Sequence, residues 1–497
     1  MTEPRTGPRR SWRVGELRHG ILNVGDALAQ SIALLSLALG VAFASSAAAG
    51  EAGIAAPFAY LIAGVGSLCL ASVIVRFTRR MASAGGIYTY IARGLHPQGG
   101  FIGGWLYGTA FAVGIAFVLV IASFFMSTAF TAHTAINWSW FPWFFILLGA
   151  LALLAFLDIR ISTRLQLVAA AAGVVAIVVL AIVILAKGGD SGISIQPLNP
   201  ARAPTTADLF LAVVLAFTGF IGFEAAAVLG EEASDPLRQI PRAILTAVLV
   251  AVVYYVFVTW SMANGYGVGN AAKWAKDPAA LDTLATRYVG NWLAVVIDFA
   301  VAASGFVAAL GGLHLTSRTL FAMGRDGGLP RVFAWTHPRF KTPWVGIATA
   351  LAITLALGWW GGRHYGPLTF FFFLATTATL GILGAYILIA LSGMVFFRTH
   401  RVAGESPAFS AVFDVALPAG AIAICGYTIY KSIWPRPPAP ISYAPWIAGG
   451  WLLLGIAILL YLNATRPERV RAFGSILGEG EAASAAREVE PRPLTSP

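Results

Sequence analysis

Charge is scarce in this chain. Only 11% of its 497 residues are Asp, Glu, Lys or Arg, against 58% apolar. A soluble domain carries about 25% charged residues, so an ordinary water-facing globule is excluded. Cysteine is nearly missing: Cys69 and Cys425 both fall in apolar runs, which excludes a disulfide framework. Histidine is thin and scattered. His19, His96, His133, His314, His337, His364 and His400 lie in different segments with no metal-ligand spacing, so neither a metal centre nor a membrane enzyme is read here. No bound cofactor is expected. No cleavable leader is expected either, because the first apolar run starts near Ile21, behind a basic tail, and is too long for a signal-peptide core.

What is present in abundance is long apolar sequence. Stretches of ~20 residues span a bilayer, and they fall at about 21–46, 53–76, 98–128, 140–158, 163–186, 207–231, 241–264, 290–318, 344–360, 366–396, 410–431 and 443–463. The expected class is all-α: a polytopic membrane protein of twelve transmembrane helices whose partner is the lipid bilayer. The formal charge of +11 has a membrane explanation and gives no reason to expect nucleic acid. With the N-terminus inside, 25 of the 33 Lys and Arg fall on the cytoplasmic segments and eight on the outer ones, which places both termini in the cytoplasm. The expected organisation is a cytoplasmic tail at 1–20, a membrane domain at 21–464 and a polar, disordered cytoplasmic tail at 465–497. The sequence carries no signal for an oligomeric state.

One stretch does not suit a span. AFTGFIGFEAAAVLGEEASDPLRQIPRAI, residues 216–244, starts apolar, then carries Gly219, Gly222 and the carboxylate of Glu224 at mid-depth. Backbone leaves a helix inside a membrane only where it lines a cavity or is buried in protein, and an ionisable residue there marks a functional site. The reading is a broken helix forming half of a solute site, with Phe217, Thr218, Gly219, Phe220 and Gly222 as binding positions. Glu224 has two readings, a cap on the inner half-helix and a coupling carboxylate. Glu231 and Glu232 are expected to pair with Arg238 or Arg242.

The first span, GDALAQSIALLSLALGVAFASS, holds polar and small residues where a lipid-facing helix shows Leu or Phe. It reads either as close packing through small residues or as a second break near Ser31, Ile32, Ala33 and Ser36. Breaks in the first and sixth spans point to two inverted five-helix repeats around a mid-membrane site, at 21–186 and 207–396, with two extra helices at 410–463. A half-helix starting at mid-membrane offers amides to an anion, and one ending there offers carbonyls to a cation. Two such breaks hold a zwitterion with backbone alone. Elsewhere, Gly100, Gly104 and Gly108 read as a packing ridge, Asp298 as hydrogen-bonded to a neighbouring helix, and His314 as a packing residue. Ser304 is a mid-depth hydroxyl suited to sodium or to packing.

SAGGIYTYIARGL…GGFIGGWLY, the 216–244 stretch and TSRTLFAMGRDGGLPRVFAWTHPRFKTP (316–343) resemble the amino acid permeases of the amino acid–polyamine–organocation superfamily. The resemblance runs from about Gly20 to Leu462. It implies uptake or exchange of amino acids or related amines across the cell membrane by alternating access, with substrate held at the breaks of spans one and six. By position these are Ser31 to Ser36 and Phe217 to Glu224. Relatives usually carry a glycine-rich first break; here it reads SIALLS. Some relatives replace sodium by a lysine in the fifth span, and residues 167–185 contain none. Proton, sodium and exchange coupling all stay open, with Glu224 and Ser304 as coupling candidates. A polyamine or organic-amine exchanger and a non-transporting sensor on the same fold are the alternatives. A neutral substrate is favoured, because Glu224 is the one deeply placed acid of the two broken spans.

Overall fold

The computed structural model describes residues 16–156, 159–400 and 411–475. Every expected apolar segment carries a helix. Among these residues nine helical stretches are long and apolar enough to cross a membrane, and two shorter apolar helices, Trp140–Phe156 and Thr206–Thr218, accompany them. The described chain forms no strand beyond one isolated bridge between Leu22 and Ala233. Leu153, Val168, Val253 and Leu453 are 64–69% exposed, which suits a helix bundle solvated by hydrocarbon.

In chain order the helices are α1 (Val24–Leu35), α2 (Leu37–Ala52), α3 (Ala56–Thr78), α4 (Ile87–Gly94), α5 (Pro97–His133), α6 (Trp140–Phe156), α7 (Ile159–Ala186), α8 (Thr206–Thr218), α9 (Pro236–Tyr266), α10 (Ala271–Lys276), α11 (Ala280–Tyr288) and α12 (Asn291–Arg325). Then come α13 (Trp344–Tyr365), α14 (Pro367–Thr399), α15 (Leu417–Ile433), α16 (Ala444–Thr465) and α17 (Pro467–Arg471). Starts follow local chemistry. Asn23 and Asp26 close a capping box on α1, and the Thr205 hydroxyl accepts from the Asp208 amide at the start of α8. Prolines occupy the first turns of α5, α9 and α14, where a missing N–H is harmless. The glycine ridge packs as its spacing implies: a methyl on Gly104 would meet Tyr88 and Met323, and one on Gly108 would meet Thr319 at 3.2 Å.

The first span is broken at one residue. Ser36 takes a left-handed conformation, φ 49°, between α1 and α2. The sixth span breaks after α8, and its continuation is a five-residue 3-10 stretch, Ala225–Leu229, in place of an α-helical half. The chain at Gly230 lies so close to the 82–83 backbone that a methyl there would sit 2.7 Å from the Ser83 amide. The two broken elements run in opposite directions. Ile21 and Leu22 donate to the Glu232 carbonyl at 2.9 and 3.0 Å, Ser31 meets Ala226, and Leu34 meets Gly222.

The face carrying residues 17–23 is sealed. Glu232 takes both arms of the Arg318 guanidinium at 2.5 and 3.0 Å, and Glu231 takes Arg325 at 2.7 and 2.9 Å. This corrects the expected local pairing with Arg238 or Arg242. Arg238 reaches Asp235 at 3.9 Å instead, because the fold lays the end of α12 over the 230–234 turn. The polar tail expected from residue 465 also begins later. Val470 and Phe473 are buried, Phe473 stacks on Phe101 at 5.5 Å, and the Gly474 amide donates to Asp326 at 2.7 Å. Two apolar anchors dock a segment without creating a readable pattern. Residues 476–497 of that tail, and 1–15 of the N-terminal one, lie outside the described residues.

Candidate functional site

At the two breaks α-helical bonding gives way to tight turns, in which the Ser36 amide donates to the Ala33 carbonyl at 3.1 Å and the Gly219 and Phe220 amides donate to the Ala216 and Phe217 carbonyls, both at 3.0 Å. The Tyr255 hydroxyl from α9 donates to the Gly219 carbonyl at 2.9 Å and faces the Leu35 carbonyl at 3.4 Å, so one side chain ties the end of α1 to the end of α8. A methyl on Gly40 would collide with that hydroxyl at 2.4 Å. Ser36 is braced by α12: its hydroxyl lies 3.1 Å from both the Ser304 carbonyl and the Ser304 hydroxyl, and the Leu39 amide points at the same Oγ from 3.5 Å. The first-turn amides of α2 lack an intrahelical partner. They begin beside the cavity.

That cavity, about 290 Å³, runs from Leu34, Leu35, Ser36, Thr218 and Gly219 at the breaks along α2 to Ala47, and reaches Ser432 on α15. Its walls are Leu39, Phe43, Phe111, Ile115, Phe371 and Ile382, with Thr376 and Thr379 as isolated hydroxyls and no charged side chain. Phe371 stands edge-on to Phe43 and Phe117, with ring centres 4.6 and 5.1 Å away. The volume is that of a small-molecule site, and it extends from the breaks away from the sealed face.

Of the positions singled out in the sequence, Ser36, Thr218 and Gly219 line the cavity. Ser31 is buried behind it, its hydroxyl accepting from the Ala226 amide at 3.1 Å and so capping the 3-10 stretch. Ile32 packs on the core and Ala33 is fully buried. Phe217 and Phe220 are each 1% exposed, Phe220 packing edge-on to Tyr255. Gly222 has φ 106°, and a methyl there would lie 2.7 Å from Leu34 Cγ. Glu224 is fully buried. Its Oε1 accepts from Tyr107 and Tyr386, both at 2.7 Å, and its Oε2 from the Gly222 amide at 3.2 Å. No cation is among these partners. The carboxylate therefore joins α5 and α14 to the break.

Sequence reasoning missed Tyr107, Tyr255 and Tyr386, whose only signal is a hydroxyl in an apolar span. Gln30, one of the polar residues that mark the first span, is buried and has distant partners: it donates to the Gly311 carbonyl at 2.8 Å and meets His314 at 3.2 Å. His314 also meets Ser162 at 3.2 Å. Asp298 has its expected neighbour, His133 Nε2 at 2.9 Å.

Comparison with known proteins gives the same architecture a family. The description "Amino acid permease" matches residues 27–458. An uncharacterised transporter of Mycobacterium tuberculosis is 30% identical over 388 residues, covering 72% of this chain and 82% of its own. The branched-chain amino acid permease BcaP of Bacillus subtilis is 25% identical over 417 residues, covering 80% and 83%. The low-affinity putrescine importer PlaP of Escherichia coli is 28% identical over 316 residues, covering 60% and 66%. A broken pair of membrane helices around an uncharged cavity, carried on a chain matched over almost its whole membrane part, makes this protein a member of the amino acid permease family, within the amino acid–polyamine–organocation superfamily.

Proposed function

We infer that the protein is a secondary transporter of neutral, apolar amino acids in the cell membrane, with both termini cytoplasmic. One observation carries the reading: a cavity without a charged side chain opens directly onto two helix breaks. The substrate carboxylate sits at the first-turn amides of α2, where the helix dipole favours an anion. The ammonium sits at the last-turn carbonyls of α1 and α8. The side chain fills the space between Phe43, Phe111, Ile115 and Phe371. A second ammonium, as in putrescine, would meet no counter-charge there, since Glu224 is turned onto Tyr107 and Tyr386. The name of the BcaP relative agrees with an apolar amino acid.

Alternating access needs one face shut while the other is open. Here the arginine-rich face is closed by the Glu231–Arg325 and Glu232–Arg318 pairs, and the cavity reaches toward the opposite face. Glu224 is the coupling group this geometry favours, a buried carboxylate balanced by two hydroxyls and one amide. Ser304 serves as a brace for Ser36. Uptake by proteoliposomes from a panel of all common amino acids and putrescine, with and without a proton or sodium gradient, tests the reading. Leucine-like substrates should be taken up; uptake of putrescine alone, or of none, overturns it.

A further inference from the structure

We propose that the protein carries a zinc-type divalent cation site on the face toward which the cavity opens, formed by His133, Asp282 and Asp298. These three come from different elements: His133 ends α5, Asp282 lies in the first turn of α11, and Asp298 lies two turns into α12. Their ligand atoms all lie within 4.8 Å of one another. His133 Nε2 and Asp298 Oδ2 stand 2.9 Å apart. Bonds of about 2.0 Å in a tetrahedral zinc site put ligand atoms about 3.3 Å apart, so His133 and Asp298, hydrogen-bonded at 2.9 Å, separate by only a few tenths of an ångström to admit the ion, and the Asp282 carboxylate lies within 4.8 Å of both.

The local chemistry leaves a task for a cation. His133 and Asp298 satisfy one another. Asp282 makes no hydrogen bond or ion pair among the described residues, yet it points a half-buried carboxylate at Asp298. No lysine or arginine forms an ion pair with either carboxylate among the described residues; the partner of Asp298 there is His133. A metal takes histidine as the neutral imidazole, which leaves two carboxylate charges for a dication to cancel. One nitrogen and two carboxylate oxygens, with room left for water, match zinc and its first-row neighbours. Calcium wants six to eight oxygens, and this set is too small and too nitrogenous for it.

Position gives the site a consequence. α10, on the same connection as α11, packs on the far end of α2, where the Ser46 hydroxyl donates to the Asp277 carbonyl at 2.8 Å. The next turns of α2, at Ala44 and Ala47, line the cavity. A cation joining α11 to α5 and α12 clamps that connection beside the cavity mouth.

The test is calorimetric titration of zinc chloride into the purified, tag-free full chain in nanodiscs. The wild type should show one saturable site. His133→Ala and Asp282→Asn should each weaken it by more than about ten-fold, the least expected for losing a ligand. Asp282 supports no contact that folding needs, so its variant keeps the test informative even if His133→Ala is poorly folded. No saturable zinc site in the wild type, a site unchanged in Asp282→Asn, or a preference for calcium over zinc each overturns the assignment. Binding is read without transport, so the outcome is independent of the substrate.

Discussion

Replacing Arg318 by glutamine should tip the protein toward opening at its sealed face. Glu232 is 3% exposed and its only cation among the described residues is Arg318, itself 1% exposed. Removing one partner of a buried pair strands the other charge in a low-dielectric setting, at about 3–5 kcal/mol. That cost falls on the sealed state alone if opening lets water reach Glu232. The ratio of open to sealed molecules then rises on the order of 10²- to 10⁴-fold. A cysteine at Ala233, which is 6% exposed beside Leu22, reports the change in a chain whose Cys69 and Cys425 are alanines. Maleimide should label it slowly in the parent and far faster with Arg318→Gln. A second variant, Glu232→Gln with Arg318→Met, should return the rate close to that of the parent, because replacing both members of a buried pair leaves no stranded charge. Equal labelling in the parent and Arg318→Gln would refute the gate, and fast labelling in the double variant would refute the electrostatic reason for it.

Three further outcomes follow from single sites. Glu224→Gln should leave a folded, substrate-binding protein whose uptake no longer varies with the proton gradient; an unaltered dependence would reduce Glu224 to a brace for Tyr107 and Tyr386. Gly222→Ala should lower stability by about 1–3 kcal/mol, since its φ of 106° and the 2.7 Å approach to Leu34 both oppose a side chain; thermal unfolding that matches the wild type would contradict the geometry. At the sealed face, burial pushes the Asp326 carboxyl up from 3.8 to about 6. The folded state therefore holds that proton more tightly than the unfolded chain. Stability from this group is greatest below the unfolded value and declines as pH rises from about 4 to 6, by on the order of 3 kcal/mol. Asp326 Oδ1 is buried without a partner while Oδ2 takes Tyr88 and Gly474, so protonation costs no hydrogen bond. Asp326→Asn should flatten that pH slope in thermal melts; an unchanged slope would assign it to another group.

The bilayer made much of this fold legible. Apolar runs of spanning length can do little in lipid except form helices, and each of them does. Gly219, Gly222 and Glu224 were readable because lipid-facing helix has no use for them. The break at Ser36 has no glycine to announce it, and its left-handed backbone is held by α12 through Ser304, a contact 268 residues away in the chain. Glu231 and Glu232 show the opposite failure. Arginines six to eleven residues downstream were the nearest in sequence, and partners 86 and 94 residues away were the nearest in space. The tyrosines on Glu224 and the His133 cluster share that character: they exist only once distant helices pack.

In the proposed function the two breaks hold both charges of one amino acid. Equilibrium binding to purified protein in nanodiscs should compare leucine with isoamylamine, which lacks the carboxylate, and with 4-methyl-2-oxopentanoate, which lacks the amine. Leucine should bind saturably, and neither analogue should compete at concentrations well above its dissociation constant. Competition by either analogue on a par with leucine would contradict the account.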